Sequence, residues 1–338
     1  MTFNLGLYAV LFLVLASEFI NGWTDAPNAI ATVIATRVLK PKWALFLAPT
    51  GNIIGAFIGA KVAETIGKEF INIELVPQNL KLLTLGAAMV GIILWGLFSW
   101  YFGLPISKSH AMLASMTGAG FAVAGTSVLL WKGWEKVIVG LGFSTLIGFT
   151  FGYAVSWIIR HLCYSMERPK ARKSFAILQT ISAGGMALSH GSNDGQKFIG
   201  IFTLALLAAQ GGTLQQFHVH TSTILICSLV MGIGTSIGGW RIIKTMGEKM
   251  VHLEPYQGFA AEASATGSIL LASHFGIPLS TTHTINTSIM GVGAATRLSG
   301  IRWGVVGDMV KAWLMTFPIC AIVGFIIAKF FMLVAHIF

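Results

Sequence analysis

The sequence predicts an all-α, polytopic membrane protein built from two related halves, and three observations predict it. First, 55% of its 338 residues are hydrophobic and only 10% charged, with a mean hydropathy of +0.77; soluble domains carry about a quarter charged residues. Second, uncharged apolar runs recur at 82–101, 137–159 and 221–239, each near the roughly 20 residues that a spanning helix needs. Third, two polar motifs inside apolar surroundings each occur twice. Asn21-Gly22-Trp23-Thr24-Asp25 returns as His190-Gly191-Ser192-Asn193-Asp194, 169 positions on, and Gly103-Leu104-Pro105-Ile106-Ser107-Lys108-Ser109-His110 returns as Gly276-Ile277-Pro278-Leu279-Ser280-Thr281-Thr282-His283, 173 positions on. Two motifs repeated at nearly one offset indicate a duplication.

In chain order, 2–20 reads as the first span, with Glu18 near its end. Residues 5–16 lack a basic stretch ahead of them and a small-residue cleavage site, so they belong to this span and not to a cleaved signal. The polar run around Asp25 is expected to interrupt the helix, and a short apolar helix to Thr36 follows. After the basic turn at 37–42, 43–66 reads as a span whose Gly51, Gly55 and Gly59 permit close helix packing. Residues 61–81 read as amphipathic or looped, and 82–101 as a span. A Gly/Ala-rich helix then runs to Leu130, and 137–159 closes the first half. The second half repeats the plan: an interruption around Asp194, a span at 221–239, a charged stretch at 241–254, a helix at 258–275 carrying Glu262, and the last spans at 303–338. Strand signals are absent. The resulting division is 1–159, a basic linker at 160–174, and 175–338.

The formal net charge of +10 would suggest nucleic acid in a soluble protein. Here Lys and Arg cluster in short loops, as the positive-inside rule expects, so no nucleic acid partner is implied and membrane lipid is the surrounding. Five basic residues between 160 and 173 face only Glu167, which places the linker in the cytoplasm. Cys163, Cys227 and Cys320 have no ligand spacing, and His218 and His220 read as interfacial residues. No resident metal or cofactor is expected.

The repeated motifs carry the chemistry. Proline forbids helix through itself and disfavours it just before, so each Pro-Ser run marks a helix start inside the membrane, with a hydroxyl residue as cap. Free N–H groups and the positive end of the dipole make such starts anion sites. Ser107, Ser109, Ser280, Thr281 and Thr282, with Asn193, are candidate anion ligands. An aspartate at bilayer depth costs a few kcal/mol, and Asp25 and Asp194 suit either a cation or a proton carried on the anion. Asn28, Glu18 and Glu262 are candidate cation ligands beside them. Gly22, Thr24, Gly191, His110 and His283 adjoin the site, the two histidines as proton carriers or as hydrogen-bonding support. Lys108 is expected to snorkel to the interface, with steering of an anion at the site mouth as the alternative.

These motifs resemble the Pit family of inorganic phosphate transporters over essentially the whole length. The family's G-x-x-D-x-x-N-A signature matches Gly22, Asp25, Asn28 and Ala29, and the run from Ser189 to Lys197, like that from Pro278 to His283, resembles the form of its bacterial low-affinity branch. The resemblance implies a secondary symporter of the cell's plasma or inner membrane, not an enzyme. It implies two inverted repeats, whose broken helices or re-entrant hairpins meet near the bilayer midplane, and a homodimer. The expected cargo is phosphate, free or as a neutral complex with a divalent metal, with Na⁺ or H⁺ as the coupling cation. Thr24 stands where the commonest signature has Asn, Lys108 stands where the second copy has Thr281, and the hydrophilic central region of larger members is reduced to 160–174. The alternative cargo is sulfate or another tetrahedral oxyanion; sulfate carries no proton at neutral pH, so two aspartates disfavour it. A passive channel is a further reading. A hydrolase using Ser189, His190 and Asp194 fits poorly, since neighbouring helical residues point about 100° apart.

Overall fold

The computed structural model describes residues 5–337; the expected span start at Thr2 and the last residue, Phe338, lie outside the described residues. The chain is helical, as expected, with one isolated antiparallel bridge, Ile71–Leu129, as the β pairing among the described residues. Among the described residues five helices are long and apolar enough to cross a membrane: α1 (Leu5–Ala35), α4 (Lys81–Phe102), α5 (Lys108–Ala124, continued to Val128), α6 (Trp131–Leu162) and α13 (Trp303–Ile337). Two bent pairs could each make one more: α2 (Pro41–Ala56) with α3 (Lys61–Lys68), and α9 (Thr221–Ile237) with α10 (Trp240–Lys244) and the π turn to Lys249. The remaining helices are α7 (Arg168–His190), α8 (Gln196–Ala209), α11 (Pro255–His274) and α12 (Thr281–Thr296).

The breaks fall elsewhere than expected. α1 runs unbroken through Asp25, with Pro27 inside it. Pro27 cannot donate to the carbonyl of Trp23, and the chain closes over that point where a Cβ at Gly239 would lie 3.0 Å from the Trp23 carbonyl oxygen. In the second half, α7 continues into α8 through one π turn, Gly191–Gly195, a feature frequent at functional sites. The polar groups there find partners on other helices, as described below, so the backbone need not open. The expected span at 43–66 instead bends by 70° between α2 and α3, and that at 221–239 is followed by a bend of 61°. The turns contain Gly59 (φ +77°) and Gly238 (φ +72°), left-handed positions that glycine occupies without penalty. At the two Pro-Ser runs the expectation matches: α4 ends at a left-handed Gly103 and α5 starts three residues after Pro105, and α12 starts in the same way after Pro278. The stretch 160–174 is helical at both ends, and only 163–167 lie between α6 and α7. Residues 303–337 form one helix where more than one span was expected.

Helix packing recurs with elements exchanged. α6 lies on α12 and α5 on α13; α1 lies on α9 and α2 on α7; α1 lies on α4 and α7 on α11. Small residues allow these approaches, because packing in lipid rests on close contact. At Gly51 and Gly55 a Cβ would fall 2.5 Å from the Ala187 Cβ and 2.0 Å from the Leu188 carbonyl oxygen, while Gly59 faces open space. The stripe therefore ends at its second glycine.

Along α1, Val10 and Val14 belong to one apolar cluster and Ala26–Val33 to another. Between them the buried side chains are mostly polar: Ser17, Glu18, Asn21, Thr24 and Asp25. Phe12, Phe46, Leu146, Ile181, Leu314 and Ile326 point outward, each more than half exposed. Apolar surface on that scale suits lipid and not water, and the chain is an integral membrane protein. Gly55→Val forces the Leu188 backbone away, and detergent-solubilised protein is expected to melt several degrees lower by tryptophan fluorescence. Gly142→Ala, where a Cβ meets nothing within 4 Å, is expected to melt like the parent.

Candidate functional site

The starts of α5 and α12 meet the middles of α1 and the α7–α8 rod. The Oγ atoms of Ser107 and Ser280 accept the backbone N–H of His110 at 3.2 Å and of His283 at 3.1 Å. Each is thus an N-cap, as the sequence suggests, and its hydroxyl proton is left to donate to an anion. The next residues point into the protein, where Asp25, Asp194, Lys108 and Lys197 form one buried network.

Lys108 Nζ lies 3.4 Å from Asp25 Oδ1, and Thr282 donates to Asp25 Oδ2 at 3.4 Å. The Thr24 hydroxyl, which donates to the Ile20 carbonyl at 2.8 Å, lies 3.3 Å from Asp25 Oδ1. Asn28 Nδ2 donates to Thr282 Oγ1 at 3.0 Å and to Thr281 Oγ1 at 3.4 Å. Thr281 in turn donates to Asp194 Oδ2 at 2.5 Å. Lys197 Nζ holds Asp194 Oδ1 and Ser109 Oγ, and donates to the Leu279 carbonyl at 2.6 Å. His190 Nε2 lies 3.2 Å from Asp194 Oδ2, with its Nδ1 3.1 Å from Asn52 Oδ1. The Asn52 amide donates to Thr235 at 2.9 Å.

Of the expected site residues, the structure brings together Asp25, Asp194, Asn28, Thr24, Ser109, Thr281 and Thr282. Gly22 and Gly191 serve packing: a Cβ would lie 2.2 Å from the Met231 carbonyl oxygen and 2.1 Å from that of Asn52. Asn193 turns away to Ser273 (2.8 Å) and the Ile277 carbonyl (3.3 Å). Glu262 forms a separate cluster, accepting from Thr32, Ser182 and Gln179. Thr32 lies seven residues beyond Asp25, about 10 Å along the helix. Glu18 accepts from Asn21 at 3.1 Å. His110 and His283 stack on Phe317 and Trp313 with their rings 4.9 Å apart. Neither touches the carboxylates by an ion pair or hydrogen bond among the described residues.

Lys108 corrects its expectation: it is 2% exposed and paired with Asp25, so it neither snorkels to the interface nor stands at a mouth. Asn52 is a residue that sequence reasoning missed, and Lys197 and His190, though within the quoted motif, were given no place among the site residues. A signal for Lys197 was available. At the offset of the aspartates it occupies the place of Asn28, while Lys108 occupies that of Thr281. The halves have thus exchanged which motif carries the ammonium group. The Asp25, His190 and Asp194 ligand atoms lie within 4.8 Å of one another, but the two ammonium groups already hold carboxylate oxygens there. Ser189 donates to the Met186 carbonyl at 2.9 Å, while His190 turns to Asn52 and Asp194, so the two do not form a nucleophile–base pair.

The sequence model described as the "Phosphate transporter family" matches residues 21–173 and again 164–324. The chain is 39% identical to a "Probable low-affinity inorganic phosphate transporter" of Rhizobium meliloti (strain 1021), covering 94% of both chains. It is 38% identical to the protein of the same description in Bacillus subtilis (strain 168), covering 93% of this chain and 94% of that one. A solved structure described as "The sodium-dependent phosphate transporter" superposes with a TM-score of 0.85 at 21% identity, covering 97% of this chain and 99% of that one; this likeness concerns the fold.

Removing one member of a buried ion pair costs about 3–5 kcal/mol, because the other charge is left uncompensated. Lys108→Met is therefore expected to lower stability strongly, and Lys108→Met with Asp25→Asn to recover most of the loss. Thermal unfolding of the two single variants and the double variant, set out as a mutant cycle, checks this coupling.

Proposed function

The chain belongs to the Phosphate transporter family, and from that membership we propose that it is a secondary active symporter importing inorganic phosphate, coupled to Na⁺ or H⁺. The observation that carries this reading is the closed network of two carboxylates, two ammonium groups and the Thr281, Thr282 and Asn28 donors, with the Ser109 hydroxyl accepting from Lys197. The relatives' descriptions support phosphate as the cargo, and that of the solved protein supports a cation partner.

The four ionisable side chains sum to zero formal charge. Each carboxylate holds donors that a phosphate oxygen would need, Lys108 and Thr282 on Asp25 and Lys197 and Thr281 on Asp194. Phosphate entering between α5 and α12 takes over Thr282, Ser109 and the ammonium groups, and the helix starts add the favourable end of their dipoles. The anion's negative charge would then face Asp25 and Asp194. A coupling cation, or a proton shared between phosphate and a carboxylate, offsets that repulsion, so the cargo enters only with its partner. Sulfate, which brings no proton, meets both carboxylates uncompensated. A divalent metal–phosphate complex would bring its own charge neutralisation.

The two family matches and the exchanged packing pairs support reading 1–159 and 175–338 as inverted repeats that alternate access around this site. Arg160, Arg168, Lys170, Arg172 and Lys173 support a cytoplasmic linker at 160–174 in the cell's plasma or inner membrane. The homodimer rests on the family resemblance.

The test is uptake of radiolabelled phosphate into proteoliposomes with Na⁺ and proton gradients imposed separately, each with and without Mg²⁺. Accumulation against a phosphate gradient, insensitive to excess sulfate, is expected; simple equilibration would indicate a channel, and competition by sulfate a general oxyanion permease. Asp25→Asn and Asp194→Asn are each expected to abolish accumulation while the protein stays monodisperse in detergent. Uptake at the parent rate by either variant would remove that aspartate from the mechanism.

A further inference from the structure

A cavity of about 570 Å³ lies between the end of α6 and the starts of α7 and α11, a volume typical of small-molecule sites. Three guanidinium groups line it, Arg160 from α6 and Arg168 and Arg172 from α7, against one carboxylate, Glu254. Glu254 is already engaged, because its side chain accepts the backbone N–H of Gln257 as the cap of α11. Glu167, the acid just before α7, lies 3.0 Å from Lys170. Arg160 donates to the Ala295 carbonyl at 3.4 Å. Arg168 and Arg172 have no ion pair or side-chain hydrogen bond among the described residues. They stand four residues apart on α7, neighbours on one helix face whose like charges repel. An anion between them relieves that repulsion, and the planar guanidinium fork matches phosphate oxygens bidentately.

The surroundings say which phosphate. Phe175 and Tyr256 line the cavity with their ring centroids 6.1 Å apart. Beside it Leu162 and Tyr164 are 78% and 89% exposed, and α7 exposes Ile177 and Ile181 within about three turns of Arg172. The arginines therefore stand where the surface passes from charged to lipid-facing, the level of the headgroups. A soluble phosphate compound would use the guanidinium groups and leave the apolar surface in water; a phospholipid uses both. Basic pockets between spanning helices take such headgroups.

We propose that this cavity binds the phosphodiester headgroup of an anionic phospholipid, at a site separate from the buried aspartate–lysine network. Its occupant ties α6, the last helix before the linker, to α7 and α11 after it. The proposed cytoplasmic placement of the linker puts the cavity in the leaflet that carries anionic lipid; binding in detergent is read independently of that placement and of the transport reading.

The experiment titrates the delipidated protein in a neutral detergent with phosphatidylglycerol, phosphatidylcholine or the water-soluble headgroup glycerophosphoglycerol. Bound ligand is read by native mass spectrometry and melting by tryptophan fluorescence. The parent is compared with Arg168→Gln/Arg172→Gln and with Lys170→Gln/Lys173→Gln, which removes the same charge from residues that do not line the cavity. The parent is expected to bind one phosphatidylglycerol saturably and to melt higher with it, and to bind neither of the other two saturably. One basic residue near an anionic headgroup contributes roughly 5-fold, so the arginine variant is expected to bind roughly 30-fold more weakly and to lose the rise in melting. The lysine variant is expected to behave like the parent. Equal losses in the two variants overturn the proposal in favour of a diffuse positive surface. Equal binding of phosphatidylcholine overturns it in favour of a non-specific apolar contact, and glycerophosphoglycerol binding as tightly as the lipid makes a soluble phosphate compound the occupant. Should the arginine variant fail to fold, Arg160→Gln takes its place, with a loss of roughly 5-fold expected and unchanged binding overturning the site.

Discussion

The pairing of Asp25 with Lys108 and of Asp194 with Lys197 is the interaction on which the remaining structure depends. Four ionised groups taken from water into a helix bundle are expensive, and removing any one partner is costlier than removing a whole pair. The helices must therefore hold α1, α5, the α7–α8 rod and α12 in one register, within hydrogen-bonding reach of one another. That requirement explains why the unwound turns at Gly103–Ser107 and Gly276–Ser280 face inward. It also explains why two glycines of α2, Gly51 and Gly55, press directly on the backbone of α7 just ahead of the π turn. A loose fit there would shift His190, Asp194 and Lys197 together.

The same pairing suits the chemistry of moving an anion. A site with fixed positive charge would bind phosphate and keep it. In the proposed site the donors are shared with internal carboxylates, so phosphate binding would exchange one set of charge-assisted hydrogen bonds for another of similar kind. Release would then be as accessible as capture, as the proposed symport requires. Apolar clusters lie on either side of the polar centre along α1, and its carboxylates and ammonium groups are at most 4% exposed.

Much of this was legible in the sequence. Composition gave the membrane class, and the repeated Pro-Ser runs gave two helix starts whose caps, Ser107 and Ser280, are where proline's constraint puts them. The aspartates were legible as a pair because their spacing repeats. Continuity of α1 through Asp25 was not, because a polar residue at depth has two remedies, an opened backbone or partners from other helices. Only tertiary packing decides between them. The burial of Lys108 was hidden for the same reason: a lysine beside a helix start looks like an interfacial anchor until its partner, 83 residues away, is known. Glu262 shows the converse, a buried acid satisfied by hydroxyl and amide groups at a distance from the two aspartates.

A structure of the purified protein with phosphate bound, by crystallography or electron cryomicroscopy, tests the central claim most directly. The account predicts phosphate within hydrogen-bonding distance of Thr282, Ser109 and at least one of Lys108 and Lys197, with the corresponding lysine–aspartate contact lengthened. Phosphate held elsewhere, with both ion pairs intact, would contradict it.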